Sequence, residues 1–472
     1  MRRIKSSAEG AWLSPRACLV SVSALVTFLL SVSVATVLAQ VAMAAPFDSD
    51  RQLAIPGPRD CFWLRGPFSA DPYINLAYPD ANVYYWAAVF TMPEGARLEL
   101  LGEYPHSRYM SFVSYDERGR PQESLPDFLI LPDEGPNPYK VGASRTATQR
   151  SYRVEVLSTA PEAQRAVGSR KSGGDYNEIH APYYGKGKQQ AILYRIYLPD
   201  RGTEPDGGAS LPTPVLHLEN GETLLGREAC RALRTRQPAA LAPDAAGISA
   251  AVYRDLINQE DRPDTWPAQN PATWHIQLDR ASLLGIYTGE INEDARRSEG
   301  GFYPNPDNHY IRTIVNRRHG PVFLIRAKAP TTPATVGGES DMTDGELRYW
   351  SVCANQSFVN TRVNDCLYDE ELPRDPRGYY TVVVSRAEDR PRNAHTACGI
   401  GWLPMAPDGD GMFDEDVTIV QLRHMLPSED FPHSIDRIES QDQMEAVLGE
   451  YMPRTAYLQT NQVEAFFPCL GP

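Results

Sequence analysis

The signatures of the common hydrolases, metalloproteases and nucleotide-binding enzymes are missing from this chain. It holds no G-x-S-x-G elbow, no H-E-x-x-H helix, no Walker loop and no G-x-G-x-x-G. Their absence removes the chemistries that such motifs carry, although glycosidases and lyases working through dispersed carboxylates or tyrosines leave no comparable trace. The nine histidines are scattered, and only His106 and His395 stand near polar residues that could focus them. No cysteine pair has the C-x-x-C spacing of a zinc site. Basic residues are the minority, 46 Lys and Arg against 60 Asp and Glu, and the net charge of −14 argues against nucleic acid and anionic lipid as partners. The one basic cluster, residues 165–171 with Lys186 and Lys188 nearby, reads as a solvated loop.

A long apolar run occurs once, at 17–38, behind Arg2, Arg3 and Lys5 and ahead of the small-residue site Ala42-Met43-Ala44. That order is the pattern of a signal peptide over residues 1–44, cleaved after Ala44, and it implies a secreted or periplasmic protein. Membrane contact is expected only if the run stays uncleaved as an anchor. Cleavage removes four basic residues and one acid and takes the net charge from −14 to −17. It also removes Cys18, leaving Cys61, Cys230, Cys353, Cys366, Cys398 and Cys469, an even set in an oxidising compartment, so three disulfides are expected. Six thiols allow fifteen pairings, among which sequence does not choose. Placement suggests Cys61–Cys230 clasping the first half, Cys353–Cys366 closing a local loop and Cys398–Cys469 tying down the carboxyl end.

What the chain does contain is one series of landmarks written twice. Pro79-Asp80, Arg108-Tyr109-Met110-Ser111, Asp127-Phe128-Leu129, Tyr152-Arg153-Val154 and Arg195-Ile196-Tyr197-Leu198-Pro199 return in order. Their counterparts are Pro306-Asp307, Arg348-Tyr349-Trp350-Ser351, Asp365-Cys366-Leu367, Tyr380-Thr381-Val382 and Arg423-His424-Met425-Leu426-Pro427. Runs rich in β-branched and aromatic residues predict strands at 83–90, 96–101, 109–115, 152–157 and 191–198, and again at 310–315, 322–327, 347–353, 379–385 and 417–425. Turn-rich stretches such as Asp116-Glu117-Arg118-Gly119 separate them, and forty prolines suit short strands better than long helices. The expected fold is mainly β: two duplicated antiparallel β-sandwich modules, jelly-roll-like, with a few packing helices. The first module is placed at 45–235, a helical connector at 236–300 and the second module at 301–472. Helices are expected at 222–233, at 244–258 behind an Asp244 cap, and at 434–451.

Residues matched in both copies (Asp80 with Asp307, Arg108 with Arg348, Arg195 with Arg423) read as paired buried charges, because a catalytic centre needs an acid and a base in different environments. A site is therefore to be sought where the copies differ. His106, Arg108 and Asp116 lie along one strand and are the candidate acid–base or anion-binding group. Asn177-Glu178-Ile179-His180 also sets a carboxylate near an imidazole, and Asp369-Glu370-Glu371 reads as a solvated acidic turn. In the loop 408–416, Asp408, Asp410 and Asp414 alternate with glycines as in a structural calcium site, but Met412 stands where a third ligand belongs and no EF-hand glutamate follows. An ordinary acidic hairpin turn is the alternative, and no other cofactor is implied.

The stretches Pro105-His106-Ser107-Arg108-Tyr109-Met110-Ser111-Phe112, Leu347-Arg348-Tyr349-Trp350-Ser351-Val352-Cys353 and Cys366-Leu367-Tyr368-Asp369-Glu370 resemble an uncharacterised family of secreted bacterial proteins. So do the run from Val384-Ser385-Arg386 to Arg392-Asn393-Ala394 and the pair Cys398-Gly399. The resemblance covers most of the mature chain and implies a secreted bacterial protein, without an activity or a catalytic residue. The residues themselves point to binding of an extracellular or envelope ligand, a glycan or a small amphipathic molecule, with 24 tyrosines and 7 tryptophans available for stacking. The cleft between the modules is the place to look. A secreted hydrolase or lyase centred on His106, Arg108 and Asp116 is the second reading.

Overall fold

A computed structural model describes residues 57–469 except 73, 163–175, 237, 241–246 and 290–301. The expected signal peptide, Asp244 and the basic run 165–171 lie outside the described residues. The strands of the first half are β1 (Arg65–Phe68), β2 (Val83–Phe90), β3 (Arg97–Glu103), β4 (Ser107–Tyr115), β5 (Pro121–Pro126), β6 (Ser151–Leu157), β7 (Glu178–His180), β8 (Gln190–Pro199), β9 (Thr213–His217) and β10 (Thr223–Leu225). Those of the second half are β11 (His275–Gln277), β12 (Asn308–Asn316), β13 (Val322–Lys328), β14 (Leu347–Asn355), β15 (Val363–Tyr368), β16 (Tyr379–Ser385), β17 (Gly401–Pro404), β18 (Val417–Pro427) and β19 (Arg454–Leu458). They form four sheets. The first half has a front sheet ordered β1-β2-β8-β4-β5 and a back sheet β10-β9-β3-β6-β7. The second half has a front sheet β11-β12-β18-β14-β15 and a back sheet β17-β16-β13-β19. The fold is thus mainly β, two sandwiches with one strand order in their front sheets, antiparallel as expected except that each back sheet ends in a parallel pair, β6–β7 and β16–β17.

Alternation along each front strand explains why these sheets are buried on both faces. Trp86, Met110, Phe112, Tyr194 and Ile196 turn inward to the core of the first sandwich, and Ile311, Trp350, Val352 and Leu422 do the same in the second. The alternate residues Val83, Tyr109 and Tyr197 face away from that core and meet Tyr349, Tyr368 and Met425 of the other half. The two front sheets therefore pack face to face, with the Tyr197 and Tyr349 rings 5.6 Å apart. Polar residues on these outer faces lie in a second interior, where an unpaired charge costs several kcal/mol.

Strand register corrects two of the correspondences expected from sequence. Asn82 accepts from the Leu198 amide as Asp307 does from Leu426, so Asp307 matches Asn82. Tyr78 and Tyr303, with φ of 50° and 48°, are then equivalent, and Asn305 occupies the place of Asp80. Likewise Asp127 accepts from the Met110 amide and Asp369 from that of Trp350, so the partner of Asp127 is Asp369, not Asp365. Both corrections have one physical meaning: each half lends carboxylates to the other. Asp80 accepts from Tyr349 Oη (2.7 Å) and Ser351 Oγ (2.7 Å) and pairs with Arg423. Asp307 accepts from Tyr109 Oη (2.5 Å) and Ser124 Oγ (2.8 Å). Arg108 grips Asp369 with both oxygens at 3.0 Å, and Arg348 lies 3.5 Å from Asp127.

The helices are short. α1 (Gly226–Ala232) follows strand β10, which takes up the start of the helix expected at 222–233. α2 (Ala250–Ile257) is capped by Ser249, whose side chain accepts from the Val252 amide, so the helix begins well after Asp244. α3 (Arg280–Thr288) has a capping box from Asp279 and Ser282. Strand β11 lies inside 236–300 yet forms an edge of the second front sheet, so this connector is not purely helical. The expected helix at 434–451 is broken into 3-10 turns around α4 (Met444–Leu448), and α5 (Thr460–Phe466) ends the described chain. The disulfides are Cys61–Cys230, Cys353–Cys366 and Cys398–Cys469. They place the protein in an oxidising, extracytoplasmic environment. Among the described residues no helix is long and apolar enough to cross a membrane.

Two predictions follow from these buried groups. Asp80→Ala strands Arg423 in a dry interface and is expected to destabilise the protein by roughly 3–5 kcal/mol in urea unfolding; a loss under ~1 kcal/mol would exclude the pairing as a structural tie. His424 lies buried on β18 with Nδ1 3.3 Å from the Ile435 amide, and burial lowers its pKa to about 3. Because the folded value lies below that of the unfolded chain, ~6.5, its contribution is present above ~6.5 and is lost as pH falls toward 3. His424→Gln is therefore expected to flatten the acid side of the stability curve relative to wild type. Identical pH slopes for the two proteins would refute it.

Candidate functional site between the paired sheets

The three residues singled out on β4 do not converge. His106 and Asp116 lie beyond opposite ends of the strand, roughly 30 Å apart at ~3.3 Å per residue. His106 is half-buried, and burial together with Arg150 and Arg145 lowers its pKa. Among the described residues no carboxylate hydrogen-bonds its ring. Arg108 is fully buried and held by Asp369, Glu370 and Thr335 Oγ1 (2.8 Å). Asp116 closes the β4–β5 turn by accepting from the amides of Arg118 and Arg120 (2.9 and 3.0 Å) and from Arg120 Nε (2.7 Å). These are structural assignments for all but His106.

The acidic loop likewise binds itself. Asp410 is buried, its Oδ1 accepting from the amides of Met412, Phe413 and Asp414 (2.7–3.1 Å) and its Oδ2 from Tyr253 Oη (3.0 Å). Asp408 accepts from Gln356 Nε2 (2.6 Å), and Asp414 takes the amide of Asp416 (2.9 Å) and Arg318 Nη2 (2.5 Å). Each carboxylate is directed to a different protein donor, as in an acidic turn. His180 pairs with Glu123 at 2.9 Å rather than with its sequence neighbour Glu178. Asp369 and Glu370 face Arg108 instead of forming a solvated turn.

The arrangement that stands out is a small chamber between the facing front sheets. Its volume is about 30 Å³, and its walls come from both halves: Tyr78, Tyr85, Arg195 and Tyr197 from one, Gln277, Phe302, Tyr310, Arg312 and Gln421 from the other. Three guanidiniums stack on its aromatic walls: Arg312 lies 4.4 Å from the Tyr78 ring, Arg195 5.1 Å from Tyr85 and Arg423 5.2 Å from Tyr310. Arg423 is neutralised by Asp80. Arg195 donates to Tyr115 Oη (2.6 Å) and the Tyr303 carbonyl (3.0 Å), and Arg312 has no ion pair among the described residues. Buried donors and acceptors without a partner gather here: Arg312 Nε and Nη1, Arg195 Nη1, Gln277 Oε1 and Gln421 Oε1. Burial lowers the Arg312 pKa to about 10, opposed by Tyr78 and Tyr310, so the side chain stays charged at neutral pH.

Register shows how the chamber arises. Ala87 pairs with Leu193 as Arg312 pairs with Gln421, and Phe68 pairs with Tyr85 as Gln277 pairs with Tyr310. At the first-half end of the interface, Ala87, Leu193, Val113, Tyr115, Phe68 and Tyr303 fill the space as an apolar cluster. At the corresponding second-half end, Arg312, Gln421 and Gln277 replace Ala87, Leu193 and Phe68. Reading the copies as strings shows an arginine inside a strand. Only the register reveals that it replaces an alanine facing another sheet.

No family model matches the chain, and no curated protein sequence matches it. Among solved structures, the chain is similar to an uncharacterised protein from Burkholderia cenocepacia at 11% identity, covering 85% of this chain and 81% of that one, with a TM-score of 0.41. It is also similar to a protein from Vibrio parahaemolyticus at 11% identity, covering 81% and 90%, with a TM-score of 0.38.

Because the carboxylates of loop 408–416 already accept from protein donors, chelation by EGTA and addition of calcium are both expected to leave the melting temperature of the purified protein unchanged. A rise with calcium that disappears in Asp408→Asn would show a metal loop instead.

Proposed function

We propose that this protein is a secreted or periplasmic binding protein that takes part of a small extracellular ligand between its two β-sandwich modules. The observation carrying this reading is the chamber: it joins both halves, has aromatic walls and contains buried polar atoms that no protein group satisfies among the described residues. Such atoms are uncommon in a folded interior and are normally met by water or a ligand. A sugar ring is too large for 30 Å³, so a glycan or amphipathic molecule would insert one group and rest its remainder at the mouth. The three disulfides support an extracytoplasmic setting, and the sequence pattern of residues 1–44 supports export. The hydrolase or lyase reading has less behind it, because His106 and Asp116 stand far apart and Arg108 is fully engaged.

A thermal-shift panel of neutral sugars, amino acids, organic acids and amines tests the reading. It is run on wild type and on the double variant Gln277→Phe, Gln421→Leu, whose new residues copy Phe68 and Leu193 and fill the chamber. At least one compound is expected to raise the melting temperature of wild type and leave the variant unmoved. Equal shifts in both proteins, or none in wild type, would overturn the proposal.

A further inference from the structure

Resting on the ligand-binding reading, we propose that the chamber selects a carboxylate, held chiefly by Arg312. The charge inventory of the walls leads there. Of the three guanidiniums, only Arg423 has a carboxylate among the described residues, Asp80, so Arg195 and Arg312 leave an excess of two buried positive charges there. An uncompensated buried arginine is strongly unfavourable, and cation–π contact with Tyr78 and Phe358 relieves it only in part.

Shape and size narrow the class. Arg312 has two unpartnered donors, Nε and Nη1, and a hydrogen bond from a guanidinium to a carboxylate is charge-assisted. Arg195, which lines the same chamber, also has its Nη1 without a partner among the described residues. A volume of about 30 Å³ admits a flat three-atom group more readily than a tetrahedral phosphate or sulfate. The apolar cluster at the equivalent end of the interface shows what this face contains when no ligand is served: alanine, leucine and phenylalanine. Replacing all three by arginine and two glutamines gives up packing and adds desolvation cost, a change that an incoming anion offsets.

The test is isothermal titration of the full mature protein with sodium acetate, against acetamide and against sodium chloride at matched ionic strength. Glucuronate against glucose tells a carboxylate on a larger molecule from a free small acid, and inorganic phosphate measures the shape preference. Acetate, glucuronate or both are expected to bind more tightly than acetamide, glucose and phosphate. Arg312→Met is expected to weaken that binding on the order of 10- to 100-fold, the loss of charge-assisted hydrogen bonds, while raising the melting temperature of the anion-free protein. Should that variant fail to fold, Arg312→Lys keeps the charge but loses the several fixed donors of the guanidinium and is expected to weaken binding as well. Unchanged affinity in whichever variant folds, equal binding of acetate and acetamide, or preference for phosphate would overturn the inference. Neutral compounds binding in the chamber while both acids stay inert would overturn it too, yet leave the binding-protein reading standing. Silence across the whole panel would remove both.

Discussion

Everything in this architecture depends on the exchange of carboxylates across the interface between the two front sheets. A β-sheet buried on both faces cannot leave ionised groups on its second face without partners. Here the partners come from the other half. Asp80 serves Tyr349, Ser351 and Arg423, Asp307 serves Tyr109 and Ser124, and Arg108 and Arg348 reach across to Asp369 and Asp127. Burial raises the pKa of Asp369, and takes that of Asp127 to about 7, against the pull of the arginines. The interface is thus held by groups whose desolvation is expensive and whose geometry tolerates little change, which fixes the relative placement of the two sandwiches more tightly than apolar contact alone.

Much of this was legible in the residues. Ten strands fall where β-branched and aromatic runs place them, and the six cysteines pair as their positions suggest, because strand composition and loop closure are local or nearly local properties. Short edge strands such as β1, β7, β11 and β17 were not visible, since three or four residues carry no periodicity and are set by the neighbour they pair with. The register errors are instructive. Pro79-Asp80 and Pro306-Asp307 look alike, but Tyr78-Pro79 and Tyr303-Pro304 are the true match. Leu125-Pro126-Asp127 and Leu367-Tyr368-Asp369 share a Leu-x-Asp pattern that a match through Asp365 overlooks.

The candidate chamber was less legible than the fold for a physical reason. Arg312 gains its character from being buried opposite a second sheet, and nothing in its own strand announces that. Sites were expected where the copies differ, and His106 and Asp116 are such differences, but they sit beyond opposite ends of β4, where variation is inexpensive, and do not converge. Arg312, Gln421 and Gln277 lie on the buried face, where a polar residue has a large energetic effect.

The pairing of two like sandwiches within a single chain has a consequence for symmetry. Two identical subunits meeting face to face share one self-complementary patch, so any substitution appears on both sides of the axis and every pocket comes in pairs. Joined covalently, the halves stay together at any dilution and each position can change independently. One end of the interface can then be packed solid with Ala87, Leu193 and Phe68 while its counterpart is left hollow and charged. A homodimer of either half would have to be solid at both ends or open at both; this chain is solid at one end and open at the other.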